Sequence, residues 1–218
     1  MTDKKAMADK KRGKFITFEG GDGSGKSTQI RLTIEWLSGS GADVLFTREP
    51  GGTKVGEKIR EILLDPDNAE MADMTEMLLY ASARAQIARE VIEPALQEGR
   101  LVVCDRWADS SMVYQGAARG LGEAVRVVNE YAAGDLFSPD VTILLDLDPA
   151  EALGRAAGEG GCDRIEALGT AYQEKVRAAY LELARSCPER IRVVDAAGTV
   201  EEVHARVREA LAGVLANG

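Results

Sequence analysis

The chain has 218 residues, of which 45% are hydrophobic and 29% are charged. This length and composition are typical of a folded globular protein with a large core, and they favour one domain over two. The formal net charge of −9 argues against a general nucleic-acid or anionic-membrane surface, because that surface would repel phosphate groups. Three cysteines without metal-type spacing, Cys104, Cys162 and Cys187, favour a reducing, cytoplasmic compartment.

The first 14 residues contain six basic side chains but no apolar block. They match neither a signal peptide nor a membrane span, and no later run reaches the roughly 18 apolar residues of a membrane helix. Their composition favours a disordered basic tail, with a nucleic-acid-binding arm as the alternative. We therefore expect one folded domain over residues 15–218 and neither nucleic acid nor membrane among its partners.

The first predicted strand, residues 15–19, runs into a glycine-rich loop. Residues 20–27 fit the phosphate-binding spacing G-x-x-x-x-G-K-S. The glycines let the backbone turn its N–H groups onto phosphates, and the helix that begins near Lys26 adds a positive dipole end. Lys26 suits the β- and γ-phosphates, and the Ser27 hydroxyl can bind Mg²⁺. The predicted ATP-binding residues are Gly20, Gly21, Asp22, Gly23, Ser24, Gly25, Lys26, Ser27 and Thr28.

Strands and helices alternate along the rest of the chain. Further strands are predicted at 43–47, 101–105, 141–146 and 190–195. Helices are predicted at 27–37, 54–64, 73–98 (with a bend near Pro94), 109–115, 123–133, 150–157, 167–186 and 200–215. Nearly continuous apolar strands separated by helices indicate a parallel sheet that is covered on both faces. The predicted fold is α/β, with a five-stranded parallel sheet.

Polar residues follow the predicted strands, where ligands bind in such sheets. Arg48 follows the second strand, and Asp105 and Arg106 close the third. Asp105 lies where phosphate-loop proteins place a second Mg²⁺ contact, usually through water; a strand-end ion pair with Arg106 is the alternative. Arg48 and Arg106 are cationic groups beyond those that binding of a nucleoside triphosphate requires. Their planar guanidinium groups suit a phosphate monoester, which indicates a second anionic ligand.

Met77, Tyr80 and Arg84 share one face of the long predicted helix. An aromatic ring beside a guanidinium can stack on a base and donate to its carbonyl edge. Core packing with a snorkelling arginine is the alternative for this stripe. Further polar groups follow Arg106, namely Ser110, Ser111, Tyr114 and Gln115.

Several of these segments resemble thymidylate kinases, in the order that the family has them. They are residues 19–29, 48–53, 80–86, 105–107 and 110–116, with 162–166 similar to the end of the family's lid and 195–199 similar to its adenine-side loop. Together they cover nearly the whole chain after residue 14. The resemblance implies a three-layer α/β/α fold of the P-loop NTPase type, with a short lid at about residues 154–166.

The reaction that the resemblance implies is phosphoryl transfer from ATP to thymidine 5′-monophosphate (dTMP), giving the diphosphate. On the ATP side, Lys26 would hold the phosphates, and Ser27 and Asp105 would organise Mg²⁺. For the acceptor phosphate, the implied contacts are Arg48 and Arg106. For the base, Tyr80 would stack on thymine where the family more often has Phe, Arg84 would bond its carbonyl, and Ser111 and Gln115 would lie nearby. For the sugar, Asp22 would contact the 3′-hydroxyl and Tyr114 would lie against the 2′ position. The resemblance also implies a homodimer through long helices such as residues 73–98.

The chain departs from this family around the transferred phosphate. Relatives need a mobile arginine there, either in the phosphate loop or in the lid, yet Gly23 follows Asp22, and Glu159 stands where a lid arginine is expected. Only the two ends of residues 155–164 are basic. We expect the role to fall to Arg155 or Arg164, with Arg155 favoured because Arg164 has Asp163 and Glu166 nearby; two solvated charges are the alternative. The predicted catalytic residues are Lys26, Arg106, Arg155 and Arg164.

Two rival functions share many of these features. Another nucleoside or nucleotide kinase would have the same loop but should lack the set formed by Arg48, Tyr80, Arg84 and Arg106. A catalytically inert nucleotide-binding regulator would bind ATP without turnover.

Overall fold

The computed structural model describes residues 12–156, 164 and 169–215, without the side chains of Leu153, Arg155 and Ala156. Five strands form one parallel sheet: β1 (Phe15–Glu19), β2 (Val44–Arg48), β3 (Leu101–Asp105), β4 (Val141–Asp146) and β5 (Ile191–Asp195). Their spatial order is β2-β3-β1-β4-β5, so that β1 lies at the centre. All five residues of β1 are buried, because helices cover both faces of the sheet. The predicted α/β fold is confirmed.

Nine α-helices lie in the described part of the chain. They are α1 (Lys26–Gly39), α2 (Lys54–Leu64), α3 (Asp73–Ile87), α4 (Glu93–Gln97), α5 (Ala108–Ser111), α6 (Glu123–Ala133), α7 (Pro149–Ala156), α8 (Thr170–Ser186) and α9 (Val200–Leu215). The bend expected near Pro94 corresponds to a π-helical turn, Ala88–Ile92, between α3 and α4. A second π-helical segment, Met112–Ala118, continues α5. None of the described helices is both long and apolar enough to cross a membrane.

Apolar clusters cover both faces of the sheet, and two of them contain side chains of β1. On one face, Phe18 and Ile143 pack with Ile30 of α1 and Val207 of α9. On the other face, the cluster contains Phe15, Ile87, Leu96, Val102 and Trp107. The Trp107 ring meets Phe15 edge to face at 5.2 Å, and its indole N–H donates to Leu136 O at 2.8 Å. Because β1 lies between these two clusters, the loop that follows it projects from the buried centre of the sheet.

The last residues of the predicted tail pack against the opposite end of the sheet. Gly13 donates its N–H to Leu96 O at 2.8 Å, and Lys14 O accepts from Val102 N at 2.9 Å. Arg12 and Lys14 form ion pairs with Asp140 at 2.9 and 3.2 Å. Residues 1–11 lie outside the described part of the chain.

Candidate active site

A cleft of about 700 Å³ lies at the carboxyl ends of β1, β2 and β3. Its described lining combines four groups of residues: 22–29 of the glycine-rich loop and α1; Arg48, Glu49, Pro50, Arg60 and Leu64; Tyr80, Arg84, Asp105, Arg106, Trp107, Ser110, Ser111, Tyr114 and Gln115; and Ala196, Gly198, Thr199, Val200 and Val203. The loop and the predicted acceptor residues Arg48, Tyr80, Arg84, Ser111, Tyr114 and Gln115 therefore share one cavity. Parallel strands end on the same side of the sheet, which is why residues far apart in sequence meet here.

The glycine-rich loop has backbone conformations that side chains would oppose. Gly20, Gly23 and Gly25 have φ angles of 141°, 75° and 86°. A Cβ on Gly23 would lie 2.3 Å from Ala152 O of α7, and one on Gly20 would lie 2.5 Å from Leu145 O. The close approach of α7 therefore explains why residue 23 carries no side chain, and hence why the loop supplies no arginine after Asp22.

Lys26 lies within the loop that precedes it. Its Nζ donates to Gly20 O at 3.1 Å and to Gly21 O at 2.8 Å, and it lies 4.0 Å from Asp22 Oδ1. Burial, together with the nearby Arg106 charge, lowers the pKa of Lys26 to about 8. Phosphate oxygens would favour the charged form and can replace the two carbonyl acceptors. This geometry suits a lysine that neutralises a phosphate chain.

Arg106 follows β3 in a left-handed backbone conformation, with φ of 65°. Its guanidinium donates to Asp22 Oδ1 and to Gly20 O, the latter at 3.1 Å, and lies 5.4 Å from the centre of the Tyr114 ring. Asp22 and Tyr114 therefore hold Arg106 directly against the phosphate loop. A non-glycine residue in this conformation costs energy, and such strain is concentrated at functional sites.

Glu19 determines where this turn lies, and the sequence analysis missed it. The buried carboxylate accepts from Trp107 N at 2.7 Å, Ser110 Oγ at 2.6 Å and the Tyr180 hydroxyl at 2.8 Å. Burial, aided by the Asp109 charge, raises the pKa of Glu19 to about 7. A glutamate at the end of an apolar strand was the available signal, because a buried carboxylate requires several donors.

Arg84 is buried and hydrogen-bonded within the protein, whereas the sequence predicted only its contact with a base. Its side chain is 1% exposed, and Nε and Nη2 donate to Glu49 Oε2 at 3.0 and 2.7 Å. Nη2 also reaches Trp107 O at 3.3 Å, and Nη1 donates to Asn129 Oδ1. These contacts engage four of the five guanidinium hydrogens, so that one Nη1 hydrogen remains for a ligand in the cleft. Sequence spacing gave no indication of Asn129, which is fully buried on α6.

Glu49 is the acceptor that positions Arg84. Burial raises the pKa of Glu49 to about 7, against the lowering effect of the Arg84 charge. Its other oxygen, Oε1, is buried and has no hydrogen-bond partner among the residues that the structure describes. Because Glu49 lines the cleft, that oxygen can accept a donor from a bound molecule.

Arg48 is positioned by an ion pair with Glu57. It is 49% exposed and pairs with Glu57 Oε2 at 2.9 Å, while Glu57 Oε1 accepts from Gly52 N at 2.8 Å. The backbone bond from Gly52 and the Arg48 charge lower the pKa of Glu57. The pair fixes the loop after β2 but leaves Arg48 accessible to an anion.

Asp105 and Ser27 fit a magnesium site completed by a nucleotide. Asp105 Oδ1 is buried and lacks a hydrogen-bond partner within the described ranges, whereas Ser27 is exposed; both residues line the cleft. The described residues include no group of three or more His, Cys, Asp or Glu side chains that could hold a metal alone. One carboxylate and one hydroxyl beside a phosphate site match the way in which Mg²⁺ is held mainly by phosphates and water.

The two predicted lid arginines have different outcomes. Arg164 is 8% exposed and does not line the cleft: its Nη2 donates to Glu76 Oε2 at 2.5 Å and its Nε to Leu63 O at 2.9 Å. Arg164 therefore pairs with Glu76; Asp163 and Glu166, the neighbours named from the sequence, lie outside the described residues. The side chain of Arg155 and residue 159 lie outside the described part of the chain.

Strand order, the phosphate loop between β1 and α1, and a second basic pocket define a P-loop kinase. The family model described as thymidylate kinase matches residues 18–207. The sequence is 52% identical over 202 residues to the thymidylate kinase of Symbiobacterium thermophilum, covering 92% of this chain and 94% of that one. For the thymidylate kinase of Caldanaerobacter subterraneus, identity is 52% over 201 residues, covering 92% and 95%.

A solved structure gives the same result. The crystal structure of thymidylate kinase from Ehrlichia chaffeensis matches with a TM-score of 0.74 and 30% identity, covering 92% of this chain and 99% of that one. The chain belongs to the thymidylate kinase family. The resemblance inferred from the motifs is confirmed.

Gly23→Ala tests whether α7 leaves no room beside the phosphate loop. A left-handed alanine costs about 1–2 kcal/mol, and its Cβ would displace Ala152. We expect a lower melting temperature and a higher KM for ATP. Gly39→Ala, where a Cβ meets nothing within 4 Å, is the matched control and should change neither value appreciably. Parental values for Gly23→Ala would show that the loop tolerates a side chain.

Proposed function

We infer that this protein transfers the γ-phosphoryl group of ATP to thymidine 5′-monophosphate, giving ADP and thymidine 5′-diphosphate. The observation that carries this function is that one cleft holds a phosphate loop and a second pocket with arginines, an aromatic ring and an amide. The first part suits a nucleoside triphosphate, and the second suits a nucleoside monophosphate. Family membership identifies the monophosphate as thymidylate.

On the donor side, Lys26 and the loop backbone bind the ATP phosphates. The cleft is also lined by Ala196, Gly198, Thr199 and Val200, against which the adenine would rest. Bound Mg²⁺ would supply charge neutralisation of the β- and γ-phosphates, and Ser27 and Asp105 would hold it. Chelation with EDTA should accordingly abolish turnover, and added Mg²⁺ should restore it.

On the acceptor side, Arg48 and Arg106 bind the monophosphate. Tyr80 stacks on thymine, Arg84 donates to a thymine carbonyl, and Asp22 and Tyr114 contact the sugar. A phosphate acceptor is already an anion, so the reaction needs no general base. Positioning of the two phosphates and neutralisation of their charge supply the catalysis.

A lid arginine completes the charge at the transferred phosphate. Of the two candidates we favour Arg155, because the guanidinium of Arg164 is buried and engaged by Glu76 and Leu63. Arginines that contact a transferred phosphoryl group contribute about 10³-fold or more to turnover. A kcat of Arg155→Ala within tenfold of the parent would exclude Arg155 from this role.

We also propose a homodimer formed through the helices on one face of the sheet. Helices α2, α3 and α6 are neighbours and expose apolar side chains there, namely Val55, Ile62, Met74, Leu78, Val127 and Tyr131. Tyr131 is 87% exposed, which is unusual for so large a ring. A second copy of the chain would cover this patch, consistent with the predicted role of residues 73–98. Sedimentation velocity of the parent and of Tyr131→Glu tests it.

A cytoplasmic location agrees with the state of the described cysteines. Cys104 and Cys187 are free, and Cys104 is buried. Reduced thiols are typical of proteins in reducing compartments.

Lys26→Ala should lower kcat by about 10²–10³-fold, because the loss of one group that stabilises transition-state charge costs about 3–4 kcal/mol. The variant should melt near the parent's temperature, since the Lys26 side chain contacts loop carbonyls and not the apolar core. Lys58→Ala, on the exposed surface of α2, is the control. A Lys26→Ala rate within threefold of the parent at saturating ATP and Mg²⁺ would contradict the phosphate-binding role.

Arg84 should select thymine over cytosine, because the amino group of cytosine is a donor that would face the Arg84 donor. An unpaired donor costs about 1–3 kcal/mol, so kcat/KM for dTMP should exceed that for dCMP at least tenfold. Arg84→Lys keeps the charge beside Glu49 but loses the planar guanidinium, and should reduce this ratio. Arg190→Lys is the control, because Arg190 makes a bidentate contact with Asp109, which does not line the cleft. This substitution should preserve the dTMP-to-dCMP ratio. Equal activity on both substrates would instead indicate a broad-specificity kinase.

A further inference from the structure

Glu76 is a fully buried carboxylate on α3 that does not line the cleft. Its Oε2 accepts from Arg119 Nη2 at 2.9 Å and from Arg164 Nη2 at 2.5 Å. Its Oε1 accepts from Gln115 Nε2 at 2.8 Å. One oxygen therefore binds two guanidinium groups, and the other binds the amide of a residue that does line the cleft.

The contacts of Glu76 fix its role as an acceptor. Guanidinium groups can only donate, so Oε2 accepts from both arginines, and Oε1 accepts from the Gln115 amide. The Gln115 amide must then direct its NH₂ group towards Glu76. Its oxygen is the polar atom left for the cleft, although the residue is only 2% exposed.

An amide oxygen beside the base has a consequence for base selection. Thymine and uracil carry a ring N–H between their two carbonyls, and this group can donate to an acceptor. Cytosine has an unprotonated ring nitrogen at that position, which would face the amide oxygen lone pair to lone pair. An amide with the opposite orientation would favour cytosine.

We propose that Glu76 is a positioning residue for base selection: by binding the Gln115 amide N–H, it holds the amide oxygen towards the base in the cleft. The proposal rests on the proposed function, since it requires a pyrimidine monophosphate in this pocket. Arg119 and Arg164 act with it by holding the Glu76 carboxylate in place. Arg119 is itself held by Asp73 at 3.2 Å and lies 5.9 Å from the centre of the Tyr172 ring.

Glu76→Gln tests the orientation directly. The new amide would keep its oxygen on the two arginines, because those contacts need an acceptor, and would direct its NH₂ group towards Gln115. Gln115 would then rotate its own oxygen towards residue 76 and present NH₂ to the base. We expect the dTMP-to-dCMP ratio of kcat/KM to fall about tenfold, the size of one mispaired hydrogen bond, through a higher KM for dTMP and with the KM for ATP unchanged.

The exchanged pair E76Q/Q115E provides a rescue. The amide now at position 76 would donate to the carboxylate now at position 115, whose second oxygen again offers an acceptor to the base. The pair also keeps one negative charge next to Arg119 and Arg164, so that it remains a test if Glu76→Gln alone does not fold. Recovery of the thymine preference supports the proposal, whereas a ratio as low as that of Glu76→Gln, or cytosine preference, overturns it.

Asp140→Asn is the matched control. Asp140 is a partly buried carboxylate that binds two cationic side chains and Phe15 N at the end of the sheet opposite the cleft. The Asp140→Asn substitution should lower the melting temperature without altering the dTMP-to-dCMP ratio of kcat/KM. A merely structural role for Glu76 would give the same pattern, namely lower stability with the parental ratio and KM for dTMP, and would refute the inference. Failure of the parent to phosphorylate dTMP would instead refute the proposed function.

Discussion

The carboxylate of Glu19 joins the two strand ends on which the cleft depends. It lies at the end of β1 and accepts hydrogen bonds from Trp107 N, Ser110 Oγ and the Tyr180 hydroxyl. The turn that it holds begins with Arg106, whose guanidinium reaches back to Asp22 and Gly20 in the phosphate loop. The donor site and the acceptor site are therefore fixed relative to each other through one buried charged group.

This arrangement reduces stability at neutral and alkaline pH. Burial raises the pKa of Glu19 from 4.5 to about 7, so that the folded protein keeps the proton to a higher pH than the unfolded chain does. The stabilisation of the folded state by this tighter proton binding at Glu19 is fully present below about pH 4.5 and is lost as the pH rises through about 7. Glu49 changes the stability with pH in the same direction, because burial also raises its pKa to about 7. The protein thus retains buried carboxylates where they orient arginines and backbone donors of the cleft, which is how function and stability commonly oppose each other.

Local sequence predicted the helices and strands well. The bounds of β1, β3, β4, α2, α6 and α9 agree with the prediction, because apolar periodicity and glycine or proline breaks act over a few residues. Arg84 lay on the predicted face of its helix, but spacing could not show that Glu49 and Asn129 would enclose it. Those partners lie 35 and 45 residues away. Glu49 follows β2 and Asn129 lies on α6, so both meet Arg84 only through the tertiary fold. The same limit applies to Arg164, whose partner Glu76 is 88 residues distant.

The absence of an arginine after Asp22 has a similar explanation. From the sequence, Gly23 was a departure from the family's pattern. In the fold it is the point at which α7 approaches the phosphate loop, where a Cβ would lie 2.3 Å from Ala152 O. Contact between elements distant in sequence therefore determines the residue type, and only the three-dimensional structure shows that contact.

The most direct measurement is the melting temperature and kcat/KM for dTMP of Glu19→Gln at pH 8. The glutamine oxygen can accept from Trp107 N, and its NH₂ can donate to the Ser110 and Tyr180 hydroxyls, so that the substitution removes the charge while the hydrogen bonds remain possible. If Glu19 is a charged group retained for function, the variant melts no lower than the parent, and its kcat/KM falls at least about tenfold, the effect of one charge-assisted contact. A variant that melts lower yet keeps parental activity would contradict this account.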